Sequence, residues 1–333
     1  MTATLTPFLL RPVYQNYLWG GGAFRLRLRR NLPEGRWAES WEVSGHPDGA
    51  SVIETGELAG VTLPDAVIHH GAALLGSLAG GASVFPLLIK VLDAAQDLSV
   101  QVHPNDASAA AHGGEPKTEM WHLLDAAPGA VVYRGWKPGF NLEGYDQAIA
   151  TGAGLADQVR PVPMRVGDTV FIPGGLVHAI GAGCLILEVQ QTSNTTYRID
   201  DWGRTGPDGK PRELHTRQAR DHLRWDADAP DTAVPVPLPD GEGFRRERLL
   251  RSPYFEMRRL ILNSPLTRHA ADDSTFRVWF PTGDAPLVLA WEGGRLEVPG
   301  WRSVMIPASA PEITVEAAPG AVILETRLPT PAV

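Results

Sequence analysis

The segment Leu98-Ser-Val-Gln-Val-His-Pro-Asn-Asp106 places Ser99, Gln101 and His103 at alternate positions. As a strand over 98–103, it puts those three polar groups on one face and Leu98, Val100 and Val102 on the other. A solvated or internally hydrogen-bonded face explains Gln101 and His103, taken alone, at least as well as a metal role. Two further segments shift the balance. Lys117-Thr-Glu-Met-Trp-His122 sets Lys117 and Glu119 on one face of a second short strand, and Gly167-Asp-Thr-Val-Phe-Ile-Pro-Gly-Gly-Leu-Val-His178 ends a strand and a Pro-Gly turn on a histidine. Two imidazoles, a carboxylate and an amide oxygen form a donor set suited to a divalent first-row ion with an open coordination position.

The remaining chemistry is sparser. Of the 30 basic residues only four are lysines, at positions 90, 117, 137 and 210. Lys90 lies in the apolar run LLIKVL, where an unpaired ammonium is costly to bury, so a site role suits it better than a structural one. Lys137 and Lys210 sit in turns. Arg198, in TTYRIDD, reads by itself as the ion-pair partner of Asp200 or Asp201, because structural pairs are commoner than catalytic arginines. His69 and His70 fall on a predicted helix, and His46, His112, His122 and His215 in or beside loops, all as structural or surface groups. The single cysteine, Cys184, reads as a small residue packed in a strand and excludes cysteine-based metal clusters or a disulfide framework.

The chain has 333 residues and a net charge of −8. That length supports one to three domains with real cores. The acidic balance disfavours nucleic acid as a partner, while a small phosphorylated ligand needs only local positive charge. No apolar run approaches the roughly 20 residues of a membrane span, and the first residues lack a signal-peptide pattern, so the expectation is a cytoplasmic protein with no membrane partner. Its oligomeric state is open.

Glycine and proline make up about a fifth of the chain, which implies many turns and a mainly β fold. Short strands are expected over 26–54, 84–102 and 165–190, and helices over 64–78 and 141–158. Residues 226–243 (DADAPDTAVPVPLPDGEG) shift to Asp, Pro and Gly and read as an acidic linker or loop between a region 1–225 and a strand-rich region 244–333. A weak repeat spans that boundary: Gly167–Pro173 is echoed by Trp301–Pro307, and Gly183–Glu188 by Gly320–Glu325. The offset that aligns Pro173 with Pro307 sets Glu312 at the place of His178, and no histidine follows His269. The second copy therefore lacks an equivalent ligand set and reads as structural.

The spacing Gly167-x5-Pro173-x-Gly175-x2-His178 resembles the second sequence motif of the cupin superfamily, although Ala182 stands where that motif usually carries Asn. The stretches PLLIKVLDAAQDLSVQVHPND (86–106), KTEMWHLL (117–124) and ILEVQQTSNTTYRIDDWGR (186–204) resemble class I mannose-6-phosphate isomerases, and the likeness covers most of residues 12–220. It implies two cupin-type β-barrels, of the double-stranded β-helix or jelly-roll kind, with a smaller helical portion. It also implies that Gln101, His103, Glu119 and His178 hold one divalent metal, zinc by family habit. Arg198 and Lys117 become the catalytic groups, and Lys90, Ser99 and Glu188 line the sugar-phosphate site. Trp19 and His46 match family positions too and are read as packing residues.

What the resemblance implies is interconversion of mannose 6-phosphate and fructose 6-phosphate by proton transfer between C1 and C2 through an enediol. A metal and a guanidinium that cannot lose its charge suit the charge that develops on the adjacent oxygens. Lys117, His178 and Glu188 are each imaginable as the base. Two rival readings stand beside this one: a non-catalytic cupin that senses a sugar phosphate, and a cupin enzyme of different chemistry, since fold does not fix function.

Overall fold

The computed structural model describes residues 4–206, 209–225 and 230–330, and residues 226–229 of the expected linker lie outside them. It is mainly β, with four antiparallel sheets of eight, six, five and four strands. The six-stranded sheet runs in the order Thr169–Ile172, Glu119–Ala126, Cys184–Gln191, Leu87–Ala94, Glu39–Ser44 and Val13–Gln15. The five-stranded sheet runs Tyr197–Asp200, Val100–Val102, His178–Ile180, Val131–Trp136 and Val159–Pro163. Between them lies a core of Leu92, Trp121, Leu123, Val132, Ile172, Ile180 and Ile186, so the two sheets form the first barrel.

A second pair, the eight- and four-stranded sheets, encloses Leu260, Trp279, Leu289, Val304, Ile313 and Ile323. The outer faces of the two large sheets share the largest core. Val43, Ile89, Met120 and Leu187 of one meet Met257, Val278, Met305 and Leu324 of the other, with Leu63, Val67 and Leu74 of the helix Leu63–Leu75. The outer face of the five-stranded sheet is closed by the helices Leu142–Thr151 and Thr216–His222, against which Val100 and Val102 pack. Period two then turns Gln101 into the barrel, the separation of faces that alternation of polar and apolar residues predicted.

Several expectations need adjustment. The segment read as linker contains a strand, Val236–Gly241, paired with Phe244–Arg251 at the end of the eight-stranded sheet. An edge tolerates Pro237 and Pro239, which cannot donate to an inner ladder, so its proline content disguised a strand as a loop. The expected helix 141–158 ends at Thr151, capped by Gly152 with φ 71°, and continues only as a short 3-10 turn at Ala156–Gln158. His122 lies inside a strand, not a loop. Phe8–Arg11 joins the sheet built largely from residues beyond 236, with Phe8 opposite Met305. Cys184 is buried in a strand, and burial pushes its thiol up to about 12. Among the described residues, no helix is long and apolar enough to cross a membrane.

Candidate active site

Antiparallel register assembles the site, because residues directly opposite share a face. On the five-stranded sheet Gln101 stands between His178 on one neighbour and Arg198 on the other. On the facing six-stranded sheet Glu188 stands between Lys90 and Trp121, with Glu119 two residues before Trp121 on the same face. Ligand atoms of His103, Glu119 and His178 all lie within 4.8 Å of one another, and all three side chains are buried.

Each imidazole is fixed by its far nitrogen. His103 Nδ1 donates to the Thr195 carbonyl at 2.8 Å, and His178 Nδ1 donates to the Leu176 carbonyl at 2.8 Å. Both Nε2 lone pairs therefore face the cluster, the arrangement that outer-shell carbonyls impose on ligating histidines. Burial keeps them neutral: it holds His103 well below its ordinary value, with Lys117 and His178 adding to the effect, and pushes His178 down to about 3. The Gln101 amide lies 3.5 Å from His103 Nε2 and 3.3 Å from His178 Nε2. Turning that amide by half a rotation presents its oxygen to the same point, and the Ser99 hydroxyl, 3.3 Å from Gln101 Oε1, can donate to one orientation or accept from the other.

Glu119 decides the fit to a cation. It is fully buried and neither of its oxygens accepts a hydrogen bond, although Lys117 Nζ lies 2.7 Å from Oε2. A buried carboxylate is costly unless cations meet it, and Lys117 meets only Oε2, leaving Oε1, 3.4 Å from His178 Nε2, for another. Two neutral imidazoles, this carboxylate and an amide thus fit a divalent metal of the nitrogen- and oxygen-loving kind.

Beside the cluster opens a cavity of about 240 Å³ lined by Lys90, Ser99, Gln101, Lys117, Glu188 and Arg198 among others, which gathers six of the nine residues singled out from the sequence. His103, Glu119 and His178 form the buried cluster next to it. Lys117 precedes its strand instead of lying on it, yet reaches both Glu119 and, at 3.0 Å, His103 Nε2. The expected pairing of Arg198 with Asp200 or Asp201 is absent. Asp200 caps the backbone N–H groups of Leu155 and Ala156, and Asp201 holds Arg204 and Arg212. Among the described residues Arg198 donates only to the Glu213 carbonyl, at 2.8 Å, and its buried Nε has no partner, leaving its charge available to a ligand.

Lys90 is held differently. Its ammonium lies 3.3 Å from Glu39 Oε2, 3.7 Å from Glu188 Oε1 and 4.9 Å from the centre of the Trp41 ring. Desolvation alone lowers its pKa, but Glu39, Glu188 and Glu119 together outweigh that and raise it, so it is charged and already compensated. Glu188 takes the Trp121 indole N–H at 3.0 Å, and burial, with Glu119 nearby, raises its pKa. Glu39 and Arg212 also line the cavity and were not singled out from the sequence; Trp19, read there as packing, lines it too. The only local signal for Glu39 is a carboxylate two residues before Trp41 on an otherwise buried strand.

Residues 8–122 match the family described as "Phosphomannose isomerase type I, catalytic domain". A mannose-6-phosphate isomerase of Streptococcus mutans is 38% identical over 250 residues, 75% of this chain and 77% of its own length. The crystal structure of the Bacillus subtilis mannose 6-phosphate isomerase superposes with a TM-score of 0.85 at 27% identity, covering 97% of this chain and 99% of that one. A mannose 6-phosphate isomerase crystallised with zinc and yttrium shares the fold at a TM-score of 0.75 and 18% identity, over 98% of this chain and all of that one. Cluster, cavity and overall likeness converge, and the chain belongs to the type I mannose-6-phosphate isomerase family.

Proposed function

We propose that this protein interconverts mannose 6-phosphate and fructose 6-phosphate, using one divalent metal, zinc, held by Gln101, His103, Glu119 and His178. The observation that carries this reading is the buried carboxylate of Glu119, met by Lys117 at one oxygen only, facing two neutral, carbonyl-anchored imidazoles at the wall of a pocket that holds Arg198. The bound metal supplies positive charge to the sugar oxygens at which the reaction builds negative charge.

The chain's own residues do the rest. Arg198, charged at every pH of interest, stabilises the developing oxyanion. Lys117 and Glu188, both lining the pocket, can take or return the proton between C1 and C2, while His178 is turned toward the cluster with a neutral ring. Ser99 orients the Gln101 amide and offers a hydroxyl to the sugar, and Lys90 presents a fixed positive charge at the opposite wall. We assign this chemistry to residues 1–225 and no isomerisation to 244–333. A phosphorylated, charged sugar as substrate supports the reading that the enzyme works in the cytoplasm.

The test is turnover. Metal-replete protein incubated with mannose 6-phosphate yields fructose 6-phosphate, and His103→Ala and Arg198→Ala do not. Binding of the sugar phosphate without turnover by fully metallated protein would leave a sensor and defeat the isomerase reading.

A further inference from the structure

The second barrel repeats one row of the first with the charge at its end reversed. In the first, Glu188 stands opposite Lys90 and Trp121 and takes the Trp121 indole N–H at 3.0 Å. In the second, Glu325 stands opposite Arg258 and Trp279 and takes the Trp279 indole N–H at 2.8 Å. Two residues before each tryptophan, on the same strand face, are Glu119 and Arg277. Where one barrel aims a carboxylate at its interior, the other aims a guanidinium.

Arg277 lines a cavity of about 520 Å³ and is 5% exposed. Its Nη1 donates to the Ala270 carbonyl at 3.3 Å, whereas Nε and Nη2 are buried with no hydrogen-bond partner among the described residues. The carboxylates nearby, buried Glu325 and half-buried Asp272, make their contacts with other groups. Glu325 takes Trp279 and lies 3.6 Å from Arg258, and Asp272 lies 2.8 Å from Arg327, whose own Nε also has no partner. Glu242 and Glu312 border the cavity but are solvent-exposed, as is Arg268. Burial pushes His269 down to about 3, so it adds no charge.

Glu325 and Asp272 act on this guanidinium only from a distance, and a buried guanidinium with no acid in contact with its fork is costly, while the planar fork matches an oxyanion. We propose that the C-terminal barrel holds an anion site centred on Arg277, which takes the phosphate or carboxylate group of a small molecule. The cavity is large enough for a group attached to a compact organic body. It is separate from the isomerase pocket, with which it shares no lining residue.

The test titrates metal-replete wild-type protein and Arg277→Gln with inorganic phosphate in one arm and malonate in the other, followed by calorimetry. The variant is expected to lose one class of sites, with binding weakened at least about tenfold in one arm or both, while turnover of mannose 6-phosphate is unchanged. Identical stoichiometry and affinity in the two proteins would overturn the proposal. A second measurement needs no variant: crystals of the unaltered protein soaked in selenate should show anomalous density within hydrogen-bond reach of Arg277. Density elsewhere only, or none, would overturn it as well.

Discussion

Gln101 stands directly opposite His178 across one antiparallel pair, with the amide nitrogen 3.3 Å from His178 Nε2. That register is held by the turn before His178. Gly175 donates its N–H to the His103 carbonyl at 2.7 Å with φ 88°, and a Cβ there would lie 2.6 Å from Arg224 Cγ and 2.9 Å from the His222 carbonyl. Gly175→Ala is therefore expected to cost about 1–3 kcal/mol of stability and to weaken metal retention, because it moves both histidines at once. Urea unfolding and metal content after dialysis check both effects; a variant indistinguishable from wild type in each would refute the coupling.

Arg198 makes one side-chain hydrogen bond, to the Glu213 carbonyl, so its removal costs the fold little. Arg198→Ala should lower kcat/KM by about 10²–10³-fold, and Arg198→Lys should recover only part of this, since a point charge does not replace the fork. Steady-state kinetics measure the loss, and an unchanged melting temperature separates it from unfolding.

Lys90 tests the opposite balance. Its charge neutralises Glu39 and Glu188 at 5% exposure, so Lys90→Met leaves two buried carboxylates uncompensated and should cost about 3–5 kcal/mol. A variant of wild-type stability with only a raised KM would show instead that Lys90 serves chiefly as a phosphate contact.

How much of this was legible in the sequence depends on distance along the chain. Ser99, Gln101 and His103 declare a shared face by period two alone, and the Pro-Gly turn before His178 marks where a strand begins. Which strand lies opposite is a non-local fact. Glu39 reaches Lys90, and Arg212 helps draw Asp201 away from Arg198, only through contacts that no local pattern encodes, although the Asp201–Arg204 pair is local. The same holds for Phe8 opposite Met305 and for the prolines of an edge strand that read as a linker. The short helices Asp106–His112 and Thr216–His222 carry too few turns to show a period.

His122 predicts a pH effect. Burial, with Arg259 adding to it, lowers its pKa from 6.5 to about 4, so the unfolded chain binds a proton in that interval that the folded chain does not. Its contribution is present above pH 6.5 and is lost as pH falls toward 4. Between pH 7 and 5, wild type should lose about 2 kcal/mol more stability than His122→Gln, a difference that urea unfolding at the two pH values reads directly. Equal losses would mean that His122 is not held neutral by burial.

The central claim is that the Gln101, His103, Glu119 and His178 cluster holds the metal on which isomerisation depends. Protein stripped by a chelator and then titrated with zinc should regain mannose 6-phosphate turnover linearly, saturating at one equivalent per chain, while Glu119→Gln binds less metal and regains little. Full activity in the stripped protein, or activity that tracks metal in the Glu119 variant as it does in wild type, would contradict it.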